Sequence, residues 1–375
     1  TAYEIMPSLV GSEMCIRDRY LIYMSNIEVR KVQMVGYSTF SVSLPKEWVK
    51  EVGIKPGDVV SVIRLDDGSL KIQPGISREE KPARRIVNVD RCDAPNLLRR
   101  IIVALYVIGA DSIIITSKTG LTTKQIEEVK KAVSSLNGFG IVEQTSNYIA
   151  VQSFVDPTKF PIDGLLRRLH TITSYMLESS YKAIVKKSED IVNEVLMAEE
   201  EMDKIYWMAV RQLLYASKRM DVAKKIGLEN VMNIAGNRLV TKLIEKIGDY
   251  AENMAKQAQI LVEKMAKGIE LNQAHVEELE RDTYRTLELY KNSFNSLLNK
   301  DTILANNVIN QSYDLERELN EKSFLIPQEY LRKKGLLGED AAQIAFALRT
   351  YICLLYTSDA ADEGLGVDLG GRRVI

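Results

Sequence analysis

From Arg238 onward an apolar side chain recurs at alternating steps of four and three: Val240, Ile244, Ile247, Ala251, Met254 and Ala258. That period is helical, and it gathers these residues on a seam that faces other helices. Gly248, Ala251 and Ala255 are small, so a neighbouring helix can approach closely. Glu245 and Asp249 lie four apart, one turn above the other on an edge of the seam. Two carboxylates so placed repel each other unless a cation sits nearby.

An earlier helix carries the same device. In Glu199-Glu-Glu-Met-Asp203 the first and last acids are again four apart. One such pair is ordinarily a solvated charged face. Two pairs on two helices, both flanking an apolar seam, weigh against that reading; if the two helices face each other, four carboxyl groups converge on one site. Carboxylates without cysteine or paired histidine favour hard cations such as Mg, Ca or Mn, and oxygen-rich iron sites. Glu200, Glu201 and Glu252 could add ligands, but solvent suits them better, and His170 and His275 stand singly on different helices.

The stretch Glu245-Lys-Ile-Gly-Asp249-Tyr-Ala-Glu-Asn-Met-Ala resembles the signature helix of the PhoU family, the phosphate-uptake regulators. The resemblance implies two similar three-helix bundles, with metal clusters held by Glu/Asp-x-x-x-Asp motifs. It makes Glu199, Asp203, Glu245 and Asp249 the metal ligands and iron or zinc the metal. Residues 156–350 are accordingly expected to form a helical domain of two three-helix repeats, the second truncated. Helices are expected from Pro161 to about Lys187, from the Ser188 cap toward Ser217, from Asn237 to about Lys267, from Asn272 to Asn299, from Asp301 to about Ser323, and from Glu339 onward. In the second repeat Asn310 replaces the first acid before Asp314, with Glu318 four further on.

Residues 24–75 form a different unit. Lys31 to Leu44 alternates weakly, Pro45 opens a short helix to Glu51, Gly53-Ile-Lys-Pro-Gly-Asp58 is a turn cluster, and Asp67-Gly68 turns one strand into the next. This order resembles the SpoVT-AbrB family, and the whole chain an archaeal-type fusion of such a unit to PhoU. The resemblance implies a swapped-hairpin β-barrel made by two interlocked copies, many of which bind DNA. A unit this short buries too little surface alone, so a homodimer through it is expected. Its candidate DNA contacts are Arg30, Lys31, Lys46 and Lys50. The acids Glu28, Glu47, Glu51, Asp58, Asp66 and Asp67 bring the unit close to neutral, which leaves DNA binding and simple dimerisation both open.

Residues 76–84 read as a linker and 85–155 as a small α/β layer of order βαβαββ, with no phosphate loop, metal-spaced Cys/His set or nucleophile elbow. The fold class is therefore multidomain α+β: a swapped-hairpin β unit, a small α/β unit and an all-α tandem bundle. Residues 1–23 and 351–375 do not fit this plan. Segments in both resemble translated sequencing-adapter read-through, so the genuine protein is expected to start at Met24 and to lose its own C-terminus near Thr350.

The net charge is −1, which gives no global pull toward nucleic acid or an anionic membrane. No run has the length and apolarity of a membrane span. Three cysteines in 375 residues make no disulfide framework, so a cytoplasmic setting is the default. No activated nucleophile stands beside a base, so no enzyme is expected. The sequence thus points to a cytoplasmic regulator of phosphate uptake and phosphate homeostasis that binds metal and DNA. The alternative is a dimeric adaptor, without DNA binding, that acts on a phosphate transporter ATPase or a sensor kinase.

Overall fold

The computed structural model describes residues 28–64, 68–75, 83–92, 94–332 and 338–360. The expected tail 1–23, most of the linker and residues 361–375 lie outside them. The chain divides into two compact units, Thr1–Lys81 and Pro82–Ile375.

The first unit consists of two antiparallel hairpins and a short helix. Strands β1 (Gln33–Val35) and β2 (Thr39–Ser41) pair with Met34 opposite Phe40, and β3 (Val60–Arg64) pairs with β4 (Leu70–Pro74) with Val62 opposite Ile72. Gly36, at φ 69°, makes the first turn, where a β-carbon would be strained. Helix α1 (Lys46–Val52) follows Pro45 and stops at Gly53, which adopts φ 74° and returns N–H bonds to the last carbonyls. None of the described residues from 28 to 75 is buried. Met34, Tyr37, Phe40, Val59, Val62 and Leu70 all stand exposed. One copy therefore shows hairpins and no closed barrel among the described residues.

The second unit begins with the expected βαβαββ layer. Its strands are β5 (Arg84–Asn88), β6 (Ser112–Thr116), β7 (Phe139–Gln144) and β8 (Tyr148–Ser153), in sheet order β5-β6-β8-β7. Only β5 and β6 run parallel. Helices α2 (Leu97–Val107) and α3 (Thr123–Ser134) lay Leu98, Ile102, Tyr106, Val129 and Val133 against Val87, Ile113, Ile115, Ile149 and Val151. Thr122 and Gln125 close a reciprocal capping box at the start of α3.

The rest is helical: α4 (Ile162–Lys186), α5 (Glu189–Lys218), a short α6 (Met220–Lys225), α7 (Val231–Ala266), α8 (Gln273–Asn299), α9 (Thr302–Arg332) and α10 (Gly338–Ala360). Helices α4, α5 and α7 pack on one another, as do α8, α9 and α10; α7 touches α10 and α4 touches α8, so one apolar core runs through both sets. The seam of α7 is buried along its whole length, from Val240 to Ala258. Two expected helix boundaries move, and the last helix follows the expected course from Glu339 onward. Helix α7 starts before Asn237, because Asn230 and Asn233 form a capping box there, and the Asn237 side chain instead donates to the Asn233 carbonyl. Helix α9 runs past Ser323 and through Pro327, because Ile326 and Tyr330 are buried and the Tyr330 hydroxyl accepts the Asn272 N–H. Helix α10 crosses position 350 without a break, and Tyr351 and Ile352 are buried in the core.

Arg211 ties the layer to the bundle. Arg211 is 3 % exposed, and its guanidinium donates to the carbonyls of Tyr106 and Ala110 at the end of α2 and lies 3.4 Å from Asp111. No described helix is long and apolar enough to cross a membrane.

Candidate metal centre

The four sequence-predicted acids come from two helices that pack together. Ser188 caps α5 by accepting from the Ile191 N–H, and α5 carries Glu199 and Asp203 beside the buried Val195, Met202 and Ile205. Helix α7 carries Glu245 and Asp249 beside the buried Ile244 and Ile247. Gly248 sets how near these helices come. A β-carbon there would overlap the Sδ of Met202 and sit 2.6 Å from its Cε. The flexible end of the Met202 side chain thus fills the space that Gly248 leaves, level with the acids of both helices.

Three of the acids respond to their surroundings. Burial pushes the Glu199 carboxyl up to about 7, and the charges of Asp203, Glu252, Asp249 and Glu200 add to the effect. Burial likewise raises Asp203 to about 6, helped by Glu245, Asp249 and Glu252. Arg99, in the first turn of α2, opposes that rise from the neighbouring layer. Glu245 is raised by burial and by Asp249, against a hydrogen bond from Lys242. The fold therefore concentrates negative charge at a partly dry place, the arrangement that a cation relieves.

The donor set fits a hard cation or an oxygen-ligated iron, since all of it is carboxylate. As the side chains stand, no three His, Cys, Asp or Glu residues among those described are gathered closely enough to hold one ion. Glu245 and Asp249 are turned toward Lys242 and Lys246, each one turn earlier on α7. Those lysines were visible as i, i+3 neighbours of the acids, but a sequence reading takes them for surface charge. Glu252 is paired with Lys256, and Glu201 with Arg168 and Lys204, so two of the three optional acids have cationic partners already.

The second helical set is different. Asp314 is exposed and paired with Arg317, while Glu318 binds Arg285. The buried carboxylate of this set is Asp282 on α8, 2.7 Å from Lys322 Nζ, with Glu278 four residues earlier 3.2 Å from the same ammonium. Glu278 and Asp282 have the spacing of the signature pairs, but sit in the charged run Glu277-Glu-Leu-Glu-Arg-Asp282, which hides them in sequence. The histidines are held by packing. His170 stacks on Phe294 at 4.1 Å, and His275 lies between Tyr330 and Glu329.

The four candidate DNA contacts all lie in the first unit and are exposed. Arg30 and Lys31 precede β1, and Lys46 and Lys50 lie on α1. Arg30 pairs with Glu28, and Lys50 lies 3.7 Å from Glu47.

Fold and site together define a two-set helical bundle with a carboxylate-rich seam, preceded by a small α/β layer and a hairpin unit. The family model of the PhoU domain matches residues 166–258, which run from α4 into α7 and include all four acids. The model described as antidote-toxin recognition MazE, a bacterial antitoxin, matches residues 33–80. The chain thus carries a PhoU domain behind an N-terminal AbrB/MazE-type domain. No curated protein matches it.

Proposed function

We propose that this protein is a cytoplasmic regulator of phosphate uptake and phosphate homeostasis, and not an enzyme. It binds DNA as a homodimer through its N-terminal unit and holds a metal centre in its helical bundle. One coincidence carries the reading. The stretch that matches the PhoU domain is the one that carries Glu199 and Asp203 on α5 and Glu245 and Asp249 on α7, two helices that pack together. Iron or zinc follows from the family resemblance, while Mg, Ca or Mn would suit the same oxygen donors. A bound cation would supply the positive charge that the raised carboxyls lack.

The dimer follows from the first unit's surface. None of the described residues of this unit is buried, and its apolar strand faces need a second copy to cover them. Pairing would also bring Arg30, Lys31, Lys46 and Lys50 of two chains together for phosphate contacts.

The test is a gel shift of the full chain on genomic fragments across a salt series, with elemental analysis of the same preparation. The expected result is binding that weakens steeply with salt, and metal that is lost in Glu245→Ala and Asp249→Ala. No shift at low salt would overturn DNA binding. That outcome favours a dimeric adaptor acting on a phosphate transporter ATPase or a sensor kinase. The ion pairs Arg30–Glu28 and Lys50–Glu47 speak for this second reading, because they occupy two of the four candidate phosphate contacts.

A further inference from the structure

Helices α2 and α3 cover one face of the four-stranded sheet and leave the other open. In the strand registers Ile86, Ile114, Ala150 and Glu143 stand in one row across all four strands, and Arg84, Ser112, Gln152 and Gly140 stand in the next. Both rows lie on the side away from the helices, since Val87, Ile113, Ile115, Ile149 and Val151 alternate with them and point into the core of the layer. Phe154 adds an aromatic ring to the open face. A β-carbon on Gly140 would sit 2.7 Å from that ring, so the ring lies over the second row. Ile86 is 69 % exposed and Phe154 67 %. Charge is divided across this apolar strip. Arg84 stands on the β5 edge, and Glu143 stands on the β7 edge, where the hydroxyl of Tyr148 on the same face donates to its carboxylate.

We propose that this open face packs against the same face of a second copy of the chain, a contact that rests on the pairing of two chains through the N-terminal unit. A two-fold axis along the strands lays β5 of each copy over β7 of the other. It brings Arg84 of each copy toward Glu143 of the other, and Ile114 against the small Ala150 near the axis. Pairing by the sheet edges is the poorer solution. Two β5 edges would crowd Arg84 and Arg85 of both copies onto one short ladder, and β5 on β7 would extend from copy to copy without closing. The bulge between Ile141 and Glu143 also blunts the β7 edge. Area decides what the face does alone. Four strands of five or six residues offer about 300 Å2. A stable interface needs about 800 Å2 a side. The face is therefore too small to hold a dimer by itself. It closes between copies that the N-terminal unit already keeps at an effective concentration on the order of millimolar.

The test is hydroxyl-radical footprinting of the full chain read by mass spectrometry, with light scattering on the same samples. The parent is compared with Arg84→Glu, Ile86→Asp and the exchange variant Arg84→Glu/Glu143→Arg, each checked for folding by circular dichroism. Oxidation of Phe154 is read against that of Phe324, a half-exposed phenylalanine on α9. The expected result is a dimeric parent in which Phe154 reacts slowly, a several-fold rise in Arg84→Glu and Ile86→Asp, and a return toward the parent in the exchange variant. Phe40→Ser, which removes an apolar side chain from the N-terminal pairing surface, should expose Phe154 in the same way. A dimeric parent in which Phe154 reacts as fast as in Ile86→Asp would overturn the proposal and leave the N-terminal pairing intact. Protection that survives both Arg84→Glu and Ile86→Asp would also overturn it, because the cover would then be another partner, nucleic acid among them. A monomeric parent would refute the N-terminal pairing, and the proposal with it.

Discussion

Raising the pH without divalent cations is expected to loosen the helical bundle. Glu199 is raised from 4.5 to about 7 and Asp203 from 3.8 to about 6, burial being the first cause in both. Folded chains therefore hold two protons that unfolded chains release across this interval. The stabilisation is complete below about pH 4 and is lost as the pH climbs through about 6 and 7. A shift of this size is worth ~3 kcal/mol for one isolated buried acid. Both acids keep some solvent contact and share their repulsion, so about 2 to 4 kcal/mol for the pair is the fair expectation. In a helical domain of this size that is roughly 5 to 15 °C in Tm.

Urea denaturation followed by helical circular dichroism, at steps from pH 5 to pH 8 in a chelator, reads the effect. One group opposes it. Burial and the charge of Lys291 lower His170 from 6.5 to about 4, so its contribution is lost as the pH falls through that range. The comparison is therefore made against the Glu199→Gln/Asp203→Asn double variant, in which the His170 term persists and the acid term is gone. Carboxylates with lowered values, such as Glu178 and Glu318, titrate below the window. The parent should lose stability relative to the double variant between pH 5 and pH 8, and a saturating divalent cation should remove most of that difference. A parent-minus-variant difference that is flat or rises with pH would refute the convergence of charge on which the metal reading stands.

Gly248→Ala is expected to cost at most about 1 kcal/mol, because the added carbon displaces the flexible end of Met202 and meets no backbone; a loss of several kcal/mol in urea denaturation would count against it. Arg211→Leu removes the donor to the Tyr106 and Ala110 carbonyls and should cost about 3 to 5 kcal/mol, with faster proteolysis inside residues 83–155 as the readout of a loosened layer. Phe40→Ser on the exposed face of β2 should convert a dimer to a monomer in light scattering without loss of helicity, and a dimer that persists would place the pairing surface elsewhere.

How far the sequence could be read depended on whether the information lay along one element or between two. The seam of α7 and the four-residue spacing of its acids are properties of one helix, and the structure buries Val240, Ile244, Ile247, Ala251, Met254 and Ala258 as the period requires. The βαβαββ order was legible for the same reason: Ser112–Thr116 is a short apolar run with turn signals on both sides. Helix ends were less so. Asn230 and Asn237 are equally plausible caps, and only the partner three or four residues away decides between them. Pro327 argues for a stop, yet tertiary burial of Ile326 and Tyr330 outweighs the lost hydrogen bond.

The candidate site shows the same division more sharply. That Glu199 and Asp203 would stand opposite Glu245 and Asp249 is written in no local pattern. It depends on Met202 of α5 reaching over Gly248 of α7, a contact between residues that are far apart in the chain and of which each alone means little. The lysines fall between the two cases. Their spacing from Glu245 and Asp249 is local, but their surroundings are not: α5 brings the buried Tyr206 ring against Lys242, which no pattern along α7 alone encodes. A charge pattern on one helix becomes a binding property only when a second helix removes its water. The spacing marks where such a site can form, and the packing of α5 on α7 decides whether it does.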